Sequence, residues 1–416
     1  MSRRIRTILI LLPFALSGLA AQETAGTQPI TLSGQLRART EFDDKGLTQD
    51  ESTLTHLLRT RFRATARPIE GVTVVVELQD GRFFGSGDPA QGRGTMDATA
   101  EGLDLHLAFA QIERVLGSAI DLRLGRQELA FNNERLVGSL SWANSSRAFD
   151  AARATLRSDQ LNIDLVGSRL SAPTASPTAS QNLYGIWGTY TPAKTLQAEL
   201  YGLRDDNTAE IIAGADSGES LLARYTAGLY VKGSVDIIDF ELEGIGQTGT
   251  TSSSDTTPRR DIRAFLGSAV VGVTIMEEDR TRVQGLITVL SGDGSSGDTI
   301  NETFNTLFGT NHKFYGVMDY FPALSGSLGL VDMSAGVATT LTKGLRVALD
   351  GHLFGPQRGG GGENFGTEID LQFWWRGVNR FELSGGASTF LPGELAKPRL
   401  GEDPRFWVWV AGQWEI

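Results

Sequence analysis

Cysteine is absent from the 416 residues, and histidine occurs only at His56, His106, His312 and His352. The first absence excludes disulfides, thiolate metal sites, catalytic thiols and a lipid-modified cysteine at a mature N-terminus. The second leaves little for acid–base catalysis, and neither GxSxG nor HExxH occurs. Catalysis is therefore disfavoured, and no cofactor is expected. Long apolar runs are also missing: beyond the first residues no segment supplies the roughly 18 apolar residues of a membrane helix. Basic residues are outnumbered, 38 against 49 acidic for a net charge of −11, which argues against a nucleic-acid partner.

What is present begins with Arg3, Arg4 and Arg6, the apolar run Ile8 to Leu16 broken by Pro13, and the small residues around Gly18-Leu19-Ala20. That order reads as a secretory signal peptide over 1–21, followed by a short extension over 22–29 and a single body over 30–416. Removing the signal takes three arginines and no acids, moving the charge from −11 to −14. No Pro/Gly/Ser linker divides the body, and 50 glycines with 40% hydrophobic residues suit many short strands and turns. An exported membrane protein without apolar helices must cross as a closed barrel, since only helices and closed sheets satisfy every backbone group in lipid.

Period-two alternation supports that reading. Leu58, Phe62, Ala64 and Ala66 share one face while Arg59, Arg61, Arg63 and Arg67 share the other. The pattern recurs in about eighteen segments, from 30–42 and 54–67 to 379–391 and 404–416, near the ~9 to 11 residues a tilted spanning strand needs. Short turns (68–70, 114–118, 158–159, 192–194, 233–234, 276–280, 341–343, 377–378) take turns with long polar loops such as 43–53, 83–101, 131–146 and 292–327. The expected fold is an all-β, transmembrane, antiparallel up-and-down β-barrel in the outer membrane, with short periplasmic turns, long extracellular loops and both termini periplasmic. Phe406, Val408, Val410, Trp414 and Ile416 alternate at the C-terminus, resembling the signal read by barrel-assembly machinery. Trp374, Trp375, Trp407 and Trp409 suit interfacial girdles, with some packing in the lumen as the alternative.

LRLGRQEL (122–129), ERLVGS (134–139), Trp142 and RAFDAAR (147–153), followed by LSGDG (290–294), NHKFYGVMDYF (311–321), LDGHLF (349–354) and TEIDL (367–371), resemble the alginate-export family of outer-membrane porins in order and spacing. The resemblance runs from about residue 30 to the C-terminus. It implies a monomeric barrel of about eighteen strands with an arginine-rich channel, and an anionic saccharide as cargo. Periplasmic export partners would fit such a role.

The polar faces sort by sign. Arg37, Arg39, Arg59, Arg61, Arg63, Arg123, Arg153 and Arg157 come from the first six strands and form the expected cationic path; Asp239, Glu241, Glu243, Asp350, Glu368, Asp370 and Glu382 form an acidic wall. Guanidinium forks suit carboxylates, and weak repeated contacts conduct a polyanion without trapping it. The alternative is that these arginines only pair with lumen acids such as Glu41, Glu77 and Asp121. Arg126 and Glu128 fall off the parity of Arg123, which suggests a bulge at Gly125; with Arg135 and Trp142 they read as scaffold for the loop that follows. That loop, 131–146, is expected outside, whereas 292–327 or 83–101 is the candidate to fold inward and gate the pore. Asp293, Asp298 and Glu302 are a weak Ca²⁺ candidate, with a solvated acidic loop the simpler reading. GIGQTG (244–249) matches a dinucleotide pattern but lacks the following helix. The function expected is an outer-membrane channel for anionic saccharides, alginate-like polyuronate leading, with a general or substrate-selective nutrient porin as the alternative.

Overall fold

The computed structural model describes residues 28–46, 52–84, 102–171, 180–207, 222–252, 259–295 and 297–416. The expected signal peptide and most of the 83–101 loop lie outside these. The first half of the sheet comprises β1 (Gln28–Asp43), β2 (Thr53–Ile69), β3 (Val72–Phe84), β4 (Gly102–Ile112), β5 (Ile120–Gln127), β6 (Phe149–Arg157), β7 (Leu161–Ser171), β8 (Ser180–Ala193) and β9 (Leu196–Asn207). The second comprises β10 (Leu222–Val235), β11 (Ile238–Thr251), β12 (Arg260–Met276), β13 (Thr281–Leu290), the two-residue β14 (Ile300–Asn301), β15 (Leu330–Thr342), β16 (Leu345–Gly355), β17 (Gly366–Val378), β18 (Phe381–Pro392) and β19 (Arg405–Glu415).

Each long strand pairs antiparallel with its neighbour in sequence, β13 pairing directly with β15, while β14 makes a short parallel contact with β12. The ring closes where β1 meets β19, from Gln35 opposite Glu415 to Asp43 opposite Trp407. Two backbone bonds fasten the seam: Gly34 N–H donates to Ile416 O at 2.9 Å and Ile416 N–H to Gly34 O at 2.8 Å. The result is a closed antiparallel barrel of eighteen strands.

The polarity is that of a membrane barrel. On β1, β2 and β9 the outward residues Leu32, Leu54 and Leu200 are 60–69% exposed, while Arg59, Glu77 and Gln79 on β2 and β3 are at most 3% exposed. An apolar belt of this kind belongs in lipid, where a closed sheet leaves no backbone edge unpaired. Five hairpins at one end use two-residue turns, between Ile69 and Val72, Ala193 and Leu196, Val235 and Ile238, Thr342 and Leu345, and Val378 and Phe381. Gly71, Asp236, Gly344 and Arg380 have positive φ there, the backbone that lets a tight turn follow strand twist.

The other end differs from the sequence expectation. Residues 128–148 fold into the barrel rather than standing outside it; 291–329 folds in beside them, as 292–327 is a candidate to do. Leu129, Phe131, Leu136 and Val137 from the first loop, and Phe304, Phe308, Tyr315, Met318, Tyr320 and Phe321 from the second, join one buried cluster with the wall residues Trp187, Tyr201 and Tyr230. The loops clasp each other through a bridge between Val137 and Phe308, with Phe308 N–H donating to Leu136 O at 2.8 Å and Gly138 N–H to Phe308 O at 3.0 Å. Apolar side chains in a polar lumen find no lipid, so they bury against each other, each full burial of this type contributing about 1.5–3 kcal/mol.

Candidate functional site

Inside the barrel, the arginine side chains of β1 and β2 grip the first infolded loop by its backbone. Arg37 donates to the carbonyls of Ser141 at 3.0 Å and Ala143 at 2.8 Å, and Arg39 to that of Trp142 at 2.6 Å. Arg59 reaches the Ser141 and Ala143 carbonyls as well, at 2.9 and 3.1 Å, and also bonds Gln35 Oε1 at 2.8 Å. Residues 141–143 thus form a strap across three guanidinium groups that sequence parity alone assigns to the lumen. Such charged donors make stronger bonds than neutral ones. Trp142 is held further: Arg39 lies 4.1 Å over its ring, His312 stacks on it at 4.4 Å, and Trp409 meets it edge-on at 4.7 Å.

The remaining cationic candidates each have a partner on the wall. Arg63 pairs with Glu77 at 2.6 Å, and Arg61 lies 3.7 Å from Glu77 and 3.8 Å from Glu128. Arg123 bonds Gln111, Arg153 bonds both oxygens of Asp164 at 2.8 and 2.9 Å, and Arg157 bonds Asp121. Arg123 and Arg153 sit directly opposite on β5 and β6, a like-charge pair tolerable because each has its own acceptor. Arg63 and Arg157 keep 40% and 55% of their side chains exposed, so they present charge to the lumen despite their partners.

Across the barrel, the acidic wall splits into two uses. Asp239 pairs with Arg282 at 2.5 Å, and Glu241 accepts from Tyr230 at 2.8 Å. Glu243 is the dock for the first loop, receiving Arg135 at 2.6 Å and Tyr201 at 2.8 Å. Burial opposes charge on Arg135, yet the facing Tyr315 and Glu243 hold the guanidinium above its ordinary value. Arg147, also in this loop, is pulled down to about 10 by burial, partly countered by Glu134; it donates to the carbonyls of Gly138 and Phe308. Glu368 docks the second loop by accepting from Met318 N–H at 2.8 Å, beside Gly316, whose φ of +77° and close approach to that carboxylate leave no room for a side chain. Asp370 lies on the same strand, opposite Asp350; His352 bonds Asp332 at 2.9 Å, a residue the sequence reading passed over.

Several expectations are corrected. No register shift occurs at Gly125: pairing to β4 and β6 runs on unbroken, although Gly125 has φ +121°. The shift lies on β4, where His106 is the extra residue between Leu105 and Leu107, and it bonds Glu128 at 3.0 Å. Arg126 approaches Asp150 at 3.4 Å. The calcium candidates are tied to arginines: Asp293 and Asp298 to Arg260 at 2.6 and 3.4 Å, Glu302 to Arg358 at 2.8 Å. Trp407 and Trp409 pack in the lumen against Trp142, the alternative to a girdle. GIGQTG belongs to a strand, β11, in keeping with the discounted dinucleotide reading. His352 faces the lumen acids Asp332 and Asp370.

The alginate-export family matches residues 28–323. The chain belongs to that family. No curated protein sequence matches it. Among solved structures it is similar to OccAB4 of Acinetobacter baumannii (TM-score 0.63, 10% identity, 94% of this chain and 98% of that one). It is also similar to two Pseudomonas aeruginosa proteins: OpdO (0.63, 12%, 94% and 98%) and OpdK solved with vanillate (0.62, 10%, 94% and 99%). At 10–12% identity this likeness is one of fold, the eighteen-strand outer-membrane barrel. This alginate-export family member is built as an outer-membrane channel whose lumen two loops have entered.

Proposed function

We propose that the protein passes anionic saccharides across the outer membrane by diffusion, with alginate-like polyuronate as the leading cargo. The observation that carries this reading is the gathering of Arg37, Arg39, Arg59, Arg61, Arg63, Arg123, Arg153 and Arg157 on the inner face of four strands, β1, β2, β5 and β6. Arg63 and Arg157 meet the cargo first, and Arg37, Arg39 and Arg59 follow where the strap crosses. Carboxylates passing from one fork to the next bind weakly and repeatedly, which favours transit. The short-turn end and both termini face the periplasm, where export partners would dock, and the apolar belt sits in outer-membrane lipid.

A second reading is a substrate-selective porin for other small anions. The two infolded loops favour it, since they narrow the lumen in a way that suits short solutes. Liposomes carrying the purified protein decide between them. Entry of tri- and longer oligogalacturonates ahead of neutral oligosaccharides of equal length supports the first reading. Entry of small organic acids with exclusion of every oligo-uronate supports the second. Cation selectivity in planar bilayers, unaltered when Arg59, Arg61 and Arg63 become alanine, overturns both.

A further inference from the structure

On the short-turn side of the strap lies a cavity of about 470 Å³. Strap and second loop wall it on one side through Trp142, His312 and Lys313; β1, β17 and β19 wall it on the other through Arg37, Arg39, Trp374 and Trp409. Its composition is specific in kind. It combines cationic side chains, indole surfaces and the amides of Gln372 and Gln413, and the one carboxylate that lines it, Glu382, is engaged by Arg376 at 2.5 Å. Trp409 Nε1–H and Arg37 Nε–H are buried donors with no acceptor among the described residues, and a buried donor left unpaired costs about 1–3 kcal/mol. Arg39 already pairs with Glu41 at 2.6 Å, whereas Arg37 bonds only the Ser141 and Ala143 carbonyls among the described residues. An acidic sugar supplies a carboxylate for Arg37 and for the strap-facing side of Arg39, hydroxyls for the idle donors and amides, and an apolar ring face for indole.

The same guanidinium groups hold the strap. Arg37 and Arg39 provide three of its carbonyl contacts, Arg59 behind them provides two more, and Arg39 also covers Trp142. The strap carbonyls are neutral acceptors, and a carboxylate makes bonds to a guanidinium roughly twice as strong as a neutral acceptor does. We propose that this cavity is a binding site for the carboxylate of an acidic sugar arriving from the short-turn side, and that its occupancy draws Arg37 and Arg39 off the strap and loosens residues 141–145, while Arg135 on Glu243 keeps the rest of the first loop docked. The strap is a stand-in for cargo, occupying the cargo's forks until cargo displaces it. This rests on the acidic-saccharide reading above, and it adds that the channel opens in response to what it carries.

The absence of native cysteine makes the test clean. Ser145, beside the strap, is 4% exposed, so the single variant Ser145→Cys carries one thiol that is shielded while the loop is docked. Adding trigalacturonate to the full-length protein in detergent should raise its maleimide labelling rate by at least about tenfold, the shift that losing even one of the three charge-assisted hydrogen bonds makes in an opening equilibrium. Maltotriose should not. A Cβ built on Gly81 falls 3.2 Å from Ser145 Oγ, a separation compatible with a disulfide, so Gly81→Cys with Ser145→Cys locks the loop to β3. Oxidised, this pair should lose trigalacturonate entry into liposomes, and reductant should restore it. If labelling is unchanged by trigalacturonate while the sugar still enters, release of the strap is overturned and the channel reading stands. If trigalacturonate neither enters nor alters labelling, both fall. Should the disulfide fail to form, the labelling result alone decides.

Discussion

Arg135 and Glu243 meet at 2.6 Å inside the barrel, one carried by the first infolded loop and the other by β11, with both side chains almost fully buried. Ser268 and Tyr315 complete the guanidinium's contacts at 3.1 and 3.4 Å, so one arginine joins the loop, the wall and the second loop. Removing one member of a buried pair costs about 3–5 kcal/mol, because the other charge is stranded. Arg135→Met is therefore expected to undock the loop while leaving the barrel intact. Single-channel recordings should show larger and noisier conductance, with heat-modifiable gel mobility unchanged. Arg135→Met combined with Glu243→Gln should be less severe than Arg135→Met alone.

Arg63 and Arg157 are the most exposed of the eight arginines proposed to form the path on β1, β2, β5 and β6. Replacing both with glutamine should shift the reversal potential toward cations. The shift should shrink as salt rises, since the screening length falls from about 10 Å at 0.1 M to about 3 Å at 1 M. A shift independent of salt would place these residues outside the conducting path.

Arg260 neutralises Asp293 and Asp298, and Arg358 neutralises Glu302. Chelators should leave the melting temperature where it is. Arg260→Gln should instead loosen residues 291–329, seen as new protease cleavage there. A chelator-induced fall in melting temperature would restore the calcium reading.

Gly125 tests the barrel wall. A side chain there would place Cβ 2.2 Å from the Ala108 carbonyl oxygen, at a φ of +121°. Gly125→Ala is expected to cost about 1–3 kcal/mol from backbone strain alone, lowering the urea midpoint of refolded protein. Gly244, whose Cβ would meet nothing, serves as the neutral control.

The strands were legible because lipid and lumen impose opposite demands on alternate residues, and Arg59, Phe62 and Arg63 obey them without reference to anything distant. The infolding of 128–148 was not, since an aperiodic segment carries no instruction about where it goes. A compositional clue existed: Leu129, Phe131, Leu136 and Val137, like Tyr315, Met318, Tyr320 and Phe321, are too apolar for a solvated loop. The arginines illustrate the same divide. Parity puts Arg37 and Arg59 inside, yet their acceptors are backbone carbonyls 104 and 82 positions away, which no side-chain pattern encodes. Gly125 misled for a related reason: the off-parity Arg126 and Glu128 suggested an extra residue on β5, whereas the extra residue is His106 on the neighbouring strand.

The seam between Gly34 and Ile416 joins the first strand made to the last, and Gln35 bonds Glu415 across 380 positions of chain. Contacts so remote are slow to form, and until they do two sheet edges stand open. Completion of the ring therefore doubles as an inspection of the whole chain. A chain without β19 leaves not a narrower channel but an unclosed sheet, with the edges of β1 and β18 unpaired where lipid offers no partner.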